Sequence, residues 1–178
     1  AYDGVLGSNC LHFEKFYNWD GIAIEPSIIQ YQKLINNRKC KTLNKAIDKF
    51  EREIEFIEVT EGLTQMSVIK HENFDKTLNV LKKDNKTKTQ IHKIKTSTFD
   101  KILENNNEID YLSIDTEGNE IDIIESIDFK KFKIKVISIE NNTPETTNIN
   151  NFLSNRDFVY FDKIGVDEIY FNRNFYKL

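Results

Sequence analysis

Residues 109–127 read IDYLSIDTEGNEIDIIESI, and the fold follows from how this stretch divides. Ile109 to Ile114 is a short, mostly apolar run with strand preferences. Asp115-Thr116-Glu117-Gly118 is acidic and bends at a glycine. Ile121, Ile124 and Ile127 then recur every third residue, with Ile123 beside them, as one face of a helix does. The order is strand, acidic turn, helix. In an open α/β sheet such a turn lies at the carboxyl end of its strand, where ligands bind.

The same grammar occurs twice more. Gly21-Ile22-Ala23-Ile24 stops at Glu25 and is followed by Pro26-Ser27 and a helical pattern. Ile134 to Ile139 (IKVISI) stops at Glu140 and is followed by a polar loop. If the strands are parallel, Glu25, Asp115 and Glu140 line one edge of one sheet. Carboxylates gathered there repel one another unless a cation or hydroxyl donors sit among them. Taken singly, each acid can equally be solvated or cap the next helix.

The chain has 178 residues, 39% of them apolar, with 13 Phe and 7 Tyr, enough for one domain with a full core. A mean hydropathy of -0.55 reflects an Asn- and Lys-rich surface. The formal charge of -4 argues against a surface that wraps nucleic acid. Cys10 and Cys40 have neither disulfide-framework nor metal spacing and read as reduced thiols of a cytoplasmic protein. No apolar run is long enough to cross a bilayer. The chain opens AYDGVLGSN, a glycine-rich loop with no strand before it, so a preceding first strand is expected to be missing.

Along the chain, Ser8 or Asn9 is expected to cap a helix to about Tyr17 that buries Leu11, Phe13 and Phe16. Pro26-Ser27 opens a second helix with a stripe of Ile28, Tyr31, Leu34 and Ile35, ending near Asn37. Lys41 to Ile47, Ile54 to Val59 and Gln90 to Thr96 read as strands, the last two alternating. Thr60 to Thr89 is polar, and a loop with a short helix is expected. Ser97 or Thr98 caps a helix through Leu103, and the helix after Gly118 runs to about Phe129. A strand at Phe132 to Glu140, a short helix at Asn148 to Asn155, and strands at Phe158 to Asp162 and Asp167 to Asn172 follow. The last two have too short a connection to be anything but antiparallel. One domain over residues 1–178 is expected, with no repeat and no linker.

Ala1-Tyr2-Asp3-Gly4 before a capped helix resembles the first turn of a nucleotide-type site, where small residues admit a ligand to the backbone. Glu25, an acid after the next strand, stands where a doubly wound fold holds ribose hydroxyls. Together they suggest an adenosine-containing cofactor. Asp115 to Asn119 is not a calcium loop, since its glycine is fourth and not sixth. A lone hard cation on Asp115 and Glu117 is the remaining metal option. His12, His71 and His92 have no metal spacing, and only His71 is kept as a reserve candidate.

AYDGVLGSN, WDGIAIEPS, IDYLSIDTEGNEIDIIESIDF and VDEIYF, in this order, resemble the FkbM family of S-adenosylmethionine-dependent methyltransferases. The resemblance runs from Ala1 to about Asn172. It implies a class I methyltransferase, an α/β Rossmann-like fold with a mostly parallel seven-stranded sheet, an antiparallel last strand and helices on both faces. It also implies S-adenosyl-L-methionine as cofactor. Ala1, Tyr2, Asp3 and Gly4 would lie against its amino-acid end, Glu25 and Pro26 at the ribose, and Asn44 and Ala46 near the adenine. Asp115 would face the methyl end and act as base, and Glu117 and Glu140 would line the acceptor pocket. The family pattern often has His after the last of these acids; Asn141 stands there, and no catalytic role is carried onto it. The implied partner is a small-molecule or glycan acceptor, methylated on oxygen, without nucleic acid or membrane. The alternatives are a non-catalytic scaffold of the same fold, an RNA ribose methyltransferase, which would want a basic face, and a nicotinamide oxidoreductase.

Overall fold

A computed structural model describes residues 1–70, 80–104, 107–142, 144 and 148–176. The chain forms two compact units, Ala1–Ser97 and Thr98–Leu178.

In the first unit, α1 (Leu11–Tyr17) follows a run of turns and leads to β1 (Ile22–Ile24), α2 (Ile28–Asn37) and β2 (Lys41–Leu43). β1 and β2 pair in parallel, Ile24 opposite Leu43. Then come β3 (Ala46–Ile47), β4 (Glu53–Glu61), a 3-10 turn at Thr64–Met66, β5 (Val68–Ile69) and β6 (Lys88–Ser97). They form a sheet in the order β3-β6-β4-β5. Only β3 and β6 are parallel there; β4 runs antiparallel to both of its neighbours. Ala46, Phe56 and Ile69 make its core, with Ile54 and Ile94 packed on them.

In the second unit, α3 (Phe99–Leu103) precedes β7 (Glu108–Ile114), α4 (Glu120–Ser126) and β8 (Lys133–Glu140). α5 (Ile149–Ser154), β9 (Phe158–Ile164) and β10 (Asp167–Asn172) complete it. The sheet order is β7-β8-β10-β9, so the last strand lies between β8 and β9. β7 and β8 are parallel, and β10 is antiparallel to both of its neighbours. β8 is bonded on both edges and buries Ile137, Ser138 and Ile139 in succession, as a strand covered on both faces does. Ile123 and Ile124 of α4 and Ile149 and Leu153 of α5 are buried with it.

These observations correct several expectations. An α/β chain is found, but its described sheets are mixed; one mostly parallel sheet is not. The long antiparallel β4–β6 pair accounts for most of the difference, and its alternating sequence is what one-sided antiparallel sheets carry. Lys41 to Ile47 is two strands in two sheets, broken at Asn44-Lys45. α1 buries none of its residues, and Phe16 is largely exposed. The buried face of α2 carries Gln30 and Leu34, while Ile28 and Ile35 are exposed, one step around the helix from the expected stripe. α4 stops at Ser126, short of Phe129. Thr98 caps α3 as expected, its side chain accepting from the Lys101 N–H. No helix among the described residues is long and apolar enough to cross a membrane.

Candidate functional site

In the first unit the opening loop is stapled to the end of β1. The Glu25 carboxylate is buried and accepts from the Tyr2 N–H at 2.7 Å, the Ala1 backbone nitrogen at 3.2 Å and the Ser27 N–H at 2.9 Å. Asp3 closes the next turn by accepting from the Val5 and Leu6 N–H groups. Gly4 has φ +82°, and a Cβ there would lie 2.7 Å from side-chain atoms of Leu34 and Arg38, so the loop packs on α2 only because that position is glycine. The Asn44 amide donates to the carbonyls of Glu25 at 2.8 Å and Pro26 at 3.1 Å. Beside this corner lies a cleft of about 650 Å³ whose walls include Pro26, Ile28, Asn44, Ala46, Arg52 and Thr96. The structure thus connects Ala1, Tyr2, Glu25, Pro26 and Asn44 by hydrogen bonds, and places Pro26, Asn44 and Ala46 on one cleft.

In the second unit the parallel register sets Ile114 opposite Ile139, so Asp115 and Glu140 leave adjacent strand ends together. One carboxylate oxygen from each of Asp115, Glu117 and Glu140 lies within 4.8 Å of the others, a spacing that could hold a metal ion. Glu25 belongs to the first unit, where it follows β1, whose only described strand neighbour is β2. Glu117 sits at φ +59° and Gly118 at φ +121°, which turns the chain sharply after β7. Glu120 fixes that turn, one carboxylate oxygen accepting from the Thr116 N–H at 2.9 Å, the Thr116 hydroxyl at 3.0 Å and the Gly118 N–H at 3.0 Å.

The cluster shifts its own protonation. Burial, then the charges of Asp115 and Glu120, push Glu117 up to about 7. Burial, then Asp115 and Glu117, push Glu140 up to about 8. The Glu140 Oε2 atom is buried without a hydrogen-bond partner among the described residues. Near neutrality the cluster therefore holds protons that unfolded glutamates would have released, and an arriving cation would expel them. Between the unfolded value of 4.5 and the raised values, the folded chain binds more protons than the unfolded one. Stability from this cluster is thus complete below about pH 4.5 and falls as pH rises toward 8. Chemical denaturation at pH 5 and pH 8 should show this slope, and Glu140→Gln should remove much of it, gaining on the order of 1–3 kcal/mol at pH 8. An unchanged slope in the variant would remove Glu140 from the account.

Past Glu140 the chain is held from β10. The Asn141 amide donates to the buried Glu168 carboxylate at 2.9 Å, and the Tyr170 hydroxyl donates to its other oxygen at 2.6 Å. Burial, then its bond to Glu168, pushes the Tyr170 hydroxyl up. Glu120, Glu168 and Glu58 are the acids that sequence reasoning missed. A signal existed for two of them. Glu120 stands four residues after Thr116 at a helix start, and Glu58 falls on the same strand face as Ile54 and Phe56, a charge in an apolar file. His92 pairs with Glu58 at 3.0 Å, His12 packs among Phe13, Phe16 and Tyr17, and His71 lies outside the described residues.

Residues 1–160 match the family model of the methyltransferase FkbM domain. No curated protein and no solved structure matches the chain.

Proposed function

Because this chain belongs to the FkbM methyltransferase domain family, we propose that it is an S-adenosylmethionine-dependent O-methyltransferase of the class I fold, acting on a small molecule or a sugar hydroxyl. The observation that carries this reading is the carboxylate cluster at Asp115, Glu117 and Glu140, with its buried, unpartnered Glu140 oxygen. Such a group is stabilised by a cation, and the proposed cofactor is a sulfonium with an ammonium group. The cofactor supplies an electrophilic methyl group; the protein's part is placement and proton removal.

In this reading Glu25 serves the ribose. Its carboxylate already takes three donors, and an ionised carboxylate has about four acceptor sites, so it has room for one hydroxyl. Asn44 and Ala46 would border the adenine, in a cleft large enough for it. Asp115 would receive the acceptor's proton as the acceptor oxygen attacks the methyl carbon and the methyl–sulfur bond breaks to release S-adenosylhomocysteine, while Glu117 and Glu140 would line the acceptor pocket.

Calorimetric titration with S-adenosylmethionine, S-adenosylhomocysteine and NAD tests this. Binding of the first two without NAD is expected. NAD binding alone would sink the methyltransferase reading, and no binding at all would put the scaffold reading first. An RNA acceptor is disfavoured by the net charge of -4.

A further inference from the structure

Glu58 is nearly fully buried in the middle of β4, yet it carries a carboxylate. Burying a charge is costly unless it is paired and hydrogen-bonded. All its described donors but one come from the start of α2. The Ser27 hydroxyl donates to Oε1 at 2.5 Å and the Ile29 N–H at 3.2 Å, while the His92 ring lies 3.0 Å from Oε2. His92 faces Phe56 across the ladder, which puts its ring diagonally over Glu58 on the same sheet face. Ser27 in turn accepts from the Gln30 N–H at 3.1 Å as the helix cap. Its own N–H is held by Glu25. So two carboxylates grip one residue, and that residue lies between Pro26 and Ile28, two walls of the cleft. Asn44 holds Pro26 from the other side.

We propose that Glu58 is a positioning residue for the cleft: through the Ser27 hydroxyl it fixes the Pro26–Ile28 wall, and with it the Glu25 carboxylate, in the geometry that receives the cofactor. This rests on the cofactor reading above. The residue touches no ligand; it acts at a distance of one side chain. A carboxylate is suited to the task because one oxygen accepts from the Ser27 hydroxyl and the Ile29 N–H while the other accepts from the imidazole; an apolar side chain there leaves all three without an acceptor. The helix N-terminus adds to the fit, since negative charge there is favourable.

The test is a double-mutant cycle in the whole chain, read as S-adenosylhomocysteine affinity at a temperature where circular dichroism shows every variant folded. Glu58→Leu and Ser27→Ala are each expected to weaken binding by roughly tenfold, and the double variant by about the same tenfold, not a hundredfold. Ser27→Thr, which keeps the hydroxyl, should stay within about twofold of the parent. Loss confined to thermal stability, with affinity unchanged in Glu58→Leu, would overturn the proposal while the cofactor reading stands. Additive losses would overturn it as well. If Glu58→Leu does not fold, Ser27→Ala against Ser27→Thr decides: equal affinities overturn it. If the parent itself does not bind S-adenosylhomocysteine, the cofactor reading fails and this proposal falls with it.

Discussion

An Asp115→Asn protein is expected to lose methyl transfer by about 10²–10⁴-fold while binding S-adenosylhomocysteine nearly as well as the parent. The substitution keeps size and one acceptor oxygen but removes the group that would take the acceptor's proton. It also removes one of the charges that push Glu117 and Glu140 up, so both should titrate lower in the variant. That secondary change, read by the pH dependence of unfolding, shows that the altered side chain is in the cluster even if no acceptor is known. Retained turnover would end the assignment of Asp115 as base. A loss of cofactor affinity as large as the loss of rate would make it a cofactor ligand instead.

Phe132→Ala should cost about 3–5 kcal/mol of stability, seen as a lower urea midpoint at unchanged slope. Phe132 is 1% exposed and enters the core immediately before β8. Its ring meets Phe99 edge to face at 5.2 Å and 88°, and the Lys131 ammonium lies 4.8 Å over it. Truncation therefore takes away the ring that Phe99 of α3 and the Lys131 ammonium pack on, and filling from the base of the strand that carries Glu140. Phe132→Leu, which keeps most of the volume, should cost less than about 1.5 kcal/mol. A small loss for the alanine variant would mean that the core around β8 collapses readily and that the edge pair with Phe99 contributes little.

What the sequence disclosed about this molecule was uneven, for physical reasons. Period-two and period-three spacings located most described strands and helices, because burial of one face writes itself into the chain. Direction and partnership of strands did not show. Ile54 to Val59 and Gln90 to Thr96 were legible as strands, but nothing local states that they run antiparallel over a polar connection. The antiparallel pairing of β9 and β10 was legible only because their link is too short for anything else. Of the candidate site, the acids at strand ends were visible as Asp115, Glu117 and Glu140, and the structure groups them. Glu25 was expected on the same edge; within the first unit it secures the opening loop. The supporting acids were harder. Glu168 follows Asp167 in a short strand, and only the fold reveals that Asn141, 27 residues earlier, is its partner.

The interleaving of β10 has a bearing on the order in which the second unit can be made. β8 leaves a synthesising ribosome with one neighbour, β7, already behind it, and its other edge stays bare until Asp167–Asn172 emerges. β9 appears earlier but has nothing to pair with, because its only described partner is that same late strand. Completion therefore waits for one distant segment to slot between two others. Contacts of this kind slow folding and leave strand edges open to aggregation meanwhile. Glu140, one of the three clustered carboxylates, sits opposite Asp167 on that late strand, so the cluster is among the last features of the unit to be assembled.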